Sequence, residues 1–515
     1  GETGYRMAKE QKPDLIVMDV QLPEANGYDV TRRLKSEDET KDIPIIIVTS
    51  FAMAGEESEA IKAGCDDYLS KPINIHKFIE TIKKHLPDGL FVSLSSQVLS
   101  EIGEYERGIA TWLNAWVGPL IQGYINRLQQ GLHSSHLSVM QSSGETMDAG
   151  QAASQAVRML LSGPAGGLVG ARFVAAKSAL NRLMTFDMGG TSTDVALIDN
   201  RLQLTNRGRI GNYPVAVPMV DMHTIGAGGG SIARLDSGGM LLVGPESAGA
   251  QPGPACYAQG GEQPTVTDAN LLLGRIPQDT RLGGYMPLNK KRAQQVMQQL
   301  ANTMGVTLEQ AAAGIISIAN EHMARALRVI SVQKGYDPAD FTLVSFGGAG
   351  GMHVCALADE LQMQSALVPL HAGVFSALGM LATRPGRQLS NTLMMPLKDL
   401  EVSCLQEEFE KLRRKGVQAL TAEGLEEGGL HAAYSLDLRY QGQSNTLNVN
   451  WSDMLACETE FHQLHETRYG HRLAIPVELV NVRVSVTAAK RDFSLEHSAI
   501  AERHEAGIIA TGAVL

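Results

Sequence analysis

The stretch LMTFDMGGTSTDVALID at 183–199 constrains the fold more than any other part of the chain. An apolar run, a polar glycine turn and a second apolar run follow one another, and the residues after the turn alternate as in a strand. The pattern predicts a β-hairpin whose glycines can adopt positive φ and whose amides and hydroxyls face an anion. The residues predicted to bind phosphate, Mg²⁺ or water here are Asp187, Gly189, Gly190, Thr191, Ser192, Thr193 and Asp194.

This turn is not a Walker loop, because no Lys-Ser/Thr pair follows it and no helix pattern begins there. The alternative interpretation is a plain Gly-Gly turn between two core strands, with Asp187 as a turn acid. A second glycine cluster, FTLVSFGGAGGMH, follows a predicted strand at Phe341–Phe346 and opens a helix. Its Gly347, Gly348 and Gly350 could cradle a nucleotide. A dinucleotide fold is disfavoured, because His353 stands where a third glycine belongs and 363–383 contains no acid.

Residues 1–88 show strands and helices in alternation, which predicts a parallel α/β sheet. Short apolar runs end near Asp19, Thr49 and Lys71. The helical patterns between and after them span 28–35, 55–63 and 76–85. Ligands gather at the carboxyl ends of parallel strands, so a carboxylate nucleophile, a hydroxyl and an ammonium should converge there. That set of groups predicts phosphoryl transfer.

The strings KPDLIVMDVQLPEANGYDV, IPIIIVTSFAM and GCDDYLSKPI make this segment resemble a response-regulator receiver domain. The resemblance implies a phospho-acceptor and Mg²⁺ ligand at Asp19, a switch hydroxyl at Thr49 and a switch aromatic at Tyr68. It also implies phosphate binding by Lys71, a cis bond before Pro72 and a sensor histidine kinase as partner. The family places its metal-binding acid pair after an earlier strand, so we expect an incomplete Mg²⁺ site.

Six further loops are informative about the longer, second part of the chain. They are SGPAGG (162–167), DMHTIGAGGGSIA (221–233), GPESAGAQPGPACY (244–257), TDANLLLGR (267–275), LRYQGQ (438–443) and YGHRL (469–473). Together with both glycine clusters they resemble the hydantoinase A/oxoprolinase family across about 91–490. The resemblance implies an ATPase fold of the actin and sugar-kinase type and Mg²⁺-ATP as cofactor. It implies ATP-dependent opening of a cyclic amide such as a hydantoin or 5-oxoproline, by phosphorylation of the amide oxygen and attack of water.

The predicted architecture is therefore α/β, with a truncated receiver of flavodoxin-like topology fused to a hydantoinase-type domain. The expected ranges are 1–88 for the receiver, 89–490 for the hydantoinase-type domain and 491–515 for a truncated tail. The family's own amino-terminal lobe carries another D-x-G-G-T-type loop, and because only one copy occurs here that lobe is expected to be missing.

The composition narrows the class of partner. A net charge of −11 disfavours nucleic acid. No run of about 18 uncharged apolar residues occurs, and the charged amino terminus does not match a secretory signal, so we expect a cytoplasmic protein without a membrane partner. Five scattered cysteines without a C-x-x-C pair indicate reduced, structural thiols.

Several further residues have two interpretations. Asp221 and His223 are candidate metal or substrate ligands, or an ordinary loop pair. His462 and His465 could bind zinc or lie on a solvated helix face. Cys256 is a nucleophile or, as we favour, a packing residue. His353 and His371 lie near the nucleotide or are hydrogen-bonded structural histidines.

Three functions stay open. The first is an ATP-dependent cyclic amidohydrolase joined to a receiver module. The second is a non-catalytic binding, regulatory or phosphorelay protein. The third is a subunit of an acetone-carboxylase-like complex that works with a partner hydantoinase-type subunit.

Overall fold

The computed structural model describes residues 1–489 apart from Glu24, 51–53, Asp88, 133–136, Arg207 and 211–212, with 54–57 described in backbone alone. The predicted tail at 491–515 lies outside the described residues. The chain divides into two compact units, Gly1–Val92 and Ser93–Leu515.

The first unit contains a three-stranded parallel sheet in the order β1 (Ile16–Asp19), β4 (Ile45–Thr49), β5 (Asp67–Ser70). This confirms the predicted parallel α/β fold; Leu34, Ile45 and Ile47 are fully buried in its core. Helix α1 (Glu2–Gln11) was not predicted, because four of its ten residues are charged and it has little apolar periodicity; only Ala8 is buried. The elements are α1 Glu2–Gln11, β1 Ile16–Asp19, β2 Gln21–Leu22, β3 Ala25–Asn26, α2 Gly27–Ser36, β4 Ile45–Thr49, α3 Ala54–Lys62, β5 Asp67–Ser70 and α4 Ile75–Lys84.

The second unit mixes helices and strands throughout. Its helices are α5 Ser95–Val98, α6 Glu104–Leu132, α7 Ala149–Ser154, α8 Ser162–Lys177, α9 Val266–Leu272, α10 Lys290–Met304, α11 Leu308–Ile330, α12 Val354–Glu360, α13 Phe375–Ala382, α14 Val402–Thr421 and α15 Met454–Tyr469. Across the described part of the chain, no helix has the length and apolar character that crossing a membrane requires.

The strands of the second unit are β6 Ser138–Met140, β7 Thr146–Asp148, β8 Arg182–Met188, β9 Thr193–Asp199, β10 Arg201–Leu202, β11 Leu204–Thr205, β12 Gly208–Ile210, β13 Tyr213–Val215, β14 Met219–Val220, β15 Met222–Ile225, β16 Ser231–Leu235, β17 Leu241–Ser247, β18 Arg281–Leu282, β19 Met286–Pro287, β20 Thr342–Phe346, β21 Ser365–Leu367, β22 Gly386–Pro396, β23 Leu430–Tyr440, β24 Leu447–Asn450 and β25 Val477–Ala488.

A six-stranded sheet forms the centre of this unit. Its order is β10-β9-β8-β20-β21, and β15 pairs with β9. The hairpin partners β8 and β9 are antiparallel, whereas β8, β20 and β21 are parallel. Alternate side chains enter opposite cores: Phe186 packs with the face covered by α11, and Phe346 packs with the face covered by α8 and α13. The glycine turns therefore lie at the ends of strands held rigidly from both sides.

A four-stranded antiparallel sheet, β22-β25-β23-β24, forms a separate core with α14 and α15. Both histidines of α15 contact this core. His462 Nδ1 lies 2.7 Å from the Tyr440 hydroxyl. His465 is buried, and its Nδ1 lies 2.8 Å from the His471 carbonyl oxygen. The solvated-face interpretation is wrong for His465, which is a hydrogen-bonded core residue instead.

Candidate functional site

The central hairpin places two carboxylates side by side. In the register of β8 and β9, Asp187 lies directly opposite Asp194. Directly opposed residues of an antiparallel pair share one face of the sheet, so the two side chains are neighbours. Neither carboxylate forms an ion pair with any residue that the structure describes. The pair therefore concentrates negative charge that no described cationic side chain neutralises.

The pKa values of both carboxylates are raised, because the two groups are buried without a neutralising cation. Burial, and secondarily the charge of Asp194, raises the pKa of Asp187 to about 6. Burial also raises the pKa of Asp194, and the hydrogen bond from Thr224 partly offsets that rise. Carboxylate oxygens are the ligands that Mg²⁺ prefers, and a cation would relieve the repulsion between the two groups. The residues present thus fit a magnesium site.

The turn between the two carboxylates is open to solvent. Gly190 and Thr191 are exposed, and among the described residues their amides donate to no other group. A Cβ added to Gly190 would meet nothing within 4 Å. Gly189 and Gly190 do not use the positive φ that is open to glycine, and the Gly189 amide closes the turn by donating to the Ser192 carbonyl at 3.0 Å. Free amides at an exposed turn suit an anion such as phosphate.

A second glycine run, 226–230, packs backbone against backbone on this turn. The Gly229 amide donates to the Gly189 carbonyl at 3.0 Å, and the Gly230 amide donates to the Gly190 carbonyl at 2.6 Å. A Cβ on Gly228 would lie 2.8 Å from the Gly190 backbone, so this approach requires glycine. Sequence reasoning used this run only as a family signature. The signal that could have placed it in the site is a run of glycines directly after a strand.

The third glycine turn follows β20, the parallel neighbour of β8. Gly347 has φ +81°, and a Cβ there would lie 2.3 Å from Asp187 Oδ1. The Ala349 amide donates to the Met188 carbonyl at 3.0 Å. Gly348 is exposed with open space around it, whereas Gly350 is buried against Ser345. Of the predicted nucleotide-binding glycines, Gly347 and Gly348 thus lie at the carboxylates and Gly350 packs beneath them.

The remaining hydroxyls of the turn divide between solvent and structure. Thr193 is buried, and its hydroxyl donates to the Ala227 carbonyl at 2.5 Å, which ties β9 to the glycine run. Thr191 is exposed and Ser192 is half-buried. Thr191 and Ser192 can therefore face a ligand, and Thr193 positions the loop.

Asp221 and His223 lie away from the carboxylate pair. They belong to strand β15 and its start rather than to a loop, and His223 is directly opposite Val195. Because Val195 packs in the core beneath α11, His223 points to the face opposite Asp194. Asp221 forms an ion pair with Lys334, with Nζ and Oδ2 2.5 Å apart. The structure does not bring this pair to the glycine turns.

Asp221→Asn is consequently expected to leave catalysis almost intact. The variant should lose less than about 1 kcal/mol of stability, because a half-exposed ion pair contributes little. Its ATP hydrolysis should stay within about threefold of the wild type, since the Asp221 carboxylate pairs with Lys334 and is not part of the carboxylate hairpin. Steady-state ADP release and thermal melting check both expectations, and a loss of Mg²⁺ dependence would show that Asp221 ligates the metal.

The other candidate residues have structural partners. His353 is buried between Asn320 and Asn270; its Nδ1 lies 2.6 Å from Asn320 Oδ1, and burial lowers its pKa to about 4. His371 is exposed and directly precedes Ala372, whose carbonyl accepts the Gly347 amide. Cys256 is fully buried, and burial strongly raises the pKa of its thiol. A thiol held protonated in this way is no nucleophile.

The first unit gathers its own polar groups at the carboxyl edge of the parallel sheet. Lys71 Nζ and Asp19 Oδ2 lie 2.5 Å apart, and the Gln21 amide donates to Asp19 Oδ1 at 3.2 Å. The Lys71 hydrogen bond holds the pKa of Asp19 below its ordinary value. Thr49 ends β4 beside Ser70 of β5, and the Lys71–Pro72 bond is cis. Asp19, Thr49 and Lys71 thus lie at the same edge of the sheet, where the sequence predicted that they would converge.

Family models match both units. The hydantoinase/oxoprolinase model matches residues 107–388, and the response regulator receiver domain model matches residues 1–83. Together the two matches account for most of the described chain.

Two curated relatives and one solved structure show the likeness in detail. The caprolactamase subunit alpha of Pseudomonas jessenii is 36% identical over 82% of this chain and 63% of its own length. The acetophenone carboxylase gamma subunit of Aromatoleum aromaticum is 36% identical over 74% of this chain and 54% of its own length. The crystal structure of the ATP-dependent caprolactamase from Pseudomonas jessenii is 31% identical with a TM-score of 0.74, covering 94% of this chain and 71% of that chain. The chain thus spans between half and two thirds of these two curated relatives.

Proposed function

The chain belongs to the hydantoinase/oxoprolinase family and carries a receiver segment ahead of it, and from this we propose that its second unit hydrolyses a cyclic amide at the expense of ATP. The observation that carries the proposal is the uncompensated pair Asp187 and Asp194 beside three glycine turns. A site of this kind suits the phosphates and metal of a nucleotide better than it suits any neutral ligand.

Each group has a separate task in the proposal. Asp187 and Asp194 would hold Mg²⁺, and the free amides of Gly190 and Thr191 would donate to phosphate oxygens. When bound, ATP would supply a phosphoryl group to the amide oxygen, which would make the ring carbon electrophilic. Water could then add to that carbon and the ring C–N bond could break, so that ADP, phosphate and the ring-opened amino acid are the final products. The chain's own residues then position and neutralise the phosphates, which is the main contribution of protein groups to phosphoryl transfer.

The names of the relatives support a proposal for the substrate class. The related Pseudomonas jessenii protein is named for caprolactam, and the family model is named for hydantoin and oxoproline rings. All three rings contain an amide that is stable in water. We therefore propose a lactam or hydantoin as substrate, with ring opening by water after activation.

Incubation with Mg²⁺-ATP and each of 5-oxoproline, caprolactam and hydantoin tests the proposal. ADP and the ring-opened acid should appear together in equal amounts with at least one of these amides. ADP release without any ring opening would instead support a nucleotide-binding or regulatory role, and absence of both products from a folded sample would reject the proposal.

The receiver segment supports a second function, the acceptance of a phosphoryl group by Asp19. The observation that supports this function is the contact between Lys71 and Asp19, because an ammonium at this position can neutralise the charge of an added phosphoryl group. A sensor histidine kinase is the proposed donor. Carboxylate phosphorylation of this kind forms an acyl phosphate that hydroxylamine cleaves.

Asp19→Asn is therefore expected to abolish labelling of the chain by acetyl phosphate. The amide of asparagine is not a nucleophile, so incorporation should fall at least about 100-fold. Asp29→Asn is the matched control, because Asp29 is an exposed acid of α2 that pairs with Arg32. Equal labelling of the two variants would exclude Asp19 as the acceptor.

We also propose a partner subunit, since one relative is named a subunit alpha and another a gamma subunit. The partner would be a second hydantoinase-type chain that completes the ring-opening step. Co-purification of this chain with such a subunit, and faster ring opening by the mixture than by either part, would support the proposal.

A further inference from the structure

We propose that Thr224 is a positioning residue, which holds the Asp194 carboxylate in the orientation that captures a divalent cation. The inference rests on the proposed function, because it concerns the same carboxylate pair. Thr224 lies in β15 and is directly opposite Asp194 of β9. Its hydroxyl donates to Asp194 Oδ1 at 2.5 Å.

The strand register makes this contact part of a row. Thr224, Asp194 and Asp187 are consecutive cross-strand partners on β15, β9 and β8. Directly opposed side chains share a face of the sheet, so the hydroxyl approaches Asp194 from the side away from Asp187. It engages Oδ1, and no group in the described residues donates to Oδ2. One oxygen is thereby fixed and the other stays available toward Asp187.

The two carboxylates are restrained differently. The carboxylate of Asp187 accepts no hydrogen bond from the described residues. Its position is restricted only by close packing with the Gly347 turn. Thr224 restrains Asp194 by a directional bond. A ligand that is already oriented loses less conformational entropy when it binds a metal, and partners of ligating carboxylates typically contribute about 10–100-fold in metal affinity.

A purely structural role would give a different pattern of effects. Thr224 is exposed, so loss of its hydroxyl neither opens a cavity nor leaves a fully buried group unpaired. The stability change should be no more than about 1 kcal/mol. Metal affinity and stability therefore respond separately to substitution at this position.

The test compares Thr224→Val, which keeps the shape without the donor, with Thr224→Ser, which keeps the donor. Mg²⁺ alone is titrated calorimetrically into the full chain. The valine variant should bind Mg²⁺ about 10–100-fold more weakly than the wild type, and the serine variant should stay within about threefold. Both variants should melt within a few degrees of the wild type.

Wild-type affinity in the valine variant, or equal weakening in both variants, would overturn the inference, as would a wild-type chain that takes up no Mg²⁺. If the valine variant does not fold, Thr224→Ala takes its place against the same serine control. The outcome is independent of the amide assay, because Mg²⁺ uptake can depend on Thr224 even if no cyclic amide is opened.

Discussion

Asp187→Asn is expected to reduce amide-dependent ADP release about 1,000-fold while the protein stays folded. The substitution removes one of the two charges that would hold Mg²⁺, and no described Lys or Arg can substitute for the metal at this pair. Asparagine keeps the shape of the side chain, so the neighbouring Gly347 turn need not move. ADP release measured across a range of Mg²⁺ concentrations should show that added metal does not rescue the variant.

The same substitution should stabilise the metal-free protein at high pH. Because the pKa of Asp187 is raised to about 6, the folded state retains a proton that the unfolded state releases above about pH 4. The unfolded state thus binds fewer protons in this window, and the free energy of unfolding falls as pH rises. The loss is complete above pH 6 and amounts to about 2–3 kcal/mol, whereas asparagine does not titrate.

Melting curves without Mg²⁺ check this expectation. The wild type and Asp187→Asn should melt close together below about pH 4, and the variant should melt several degrees higher near about pH 8. Added Mg²⁺ should close the gap by stabilising the wild type alone. A variant that melts lower than the wild type at pH 8 would contradict the account of an uncompensated carboxylate pair.

Gly347→Ala is expected to damage both folding and activity. The residue adopts φ +81°, and a Cβ would lie 2.3 Å from Asp187 Oδ1 and 2.5 Å from the Met188 carbonyl. Positive φ alone costs a non-glycine residue about 1–3 kcal/mol, and the overlap must also displace the carboxylate. We expect a melting temperature several degrees lower and at least a 100-fold loss of ADP release.

Two neighbouring glycines provide matched controls. Gly348→Ala and Gly373→Ala place the new methyl group where nothing lies within 4 Å, and neither glycine adopts positive φ. Both variants should melt as the wild type does. Gly373→Ala should also keep its activity, because that residue is outside the carboxylate site. If Gly347→Ala has the same melting temperature and activity as Gly373→Ala, the close packing of the third turn on Asp187 contributes to neither stability nor activity.

The sequence predicted the elements that carry the site more reliably than the contacts between them. Alternating apolar residues were sufficient to predict the hairpin around Gly189 and Gly190, and a short apolar run predicted β20 before Gly347. These signals are local, since a strand's periodicity lies within its own residues. The pairing of Asp187 with Asp194 follows from the hairpin register and could be inferred in the same way.

The parts that sequence could not predict depend on distant residues. Thr224 reaches Asp194 only because β15 adds to the edge of β9, and Gly229 reaches Gly189 only through the loop that follows. His465 was placed in solvent because its polar ring gave no sign of the aromatic core around Tyr440. Helix α1 was missed since its charged sequence gives little apolar signal. Tertiary packing outweighs local preference at each of these positions.

Calorimetric titration of Mg²⁺-ATP into the wild type and into Asp194→Asn tests the central claim most directly. That claim is that the carboxylate hairpin and its glycine turns form the nucleotide site. The account predicts saturable binding of Mg²⁺-ATP by the wild type and an affinity at least about tenfold weaker in Asp194→Asn. Neither excess Mg²⁺ nor excess ATP should restore the wild-type affinity. Equal affinity for Mg²⁺-ATP in the two proteins would contradict it.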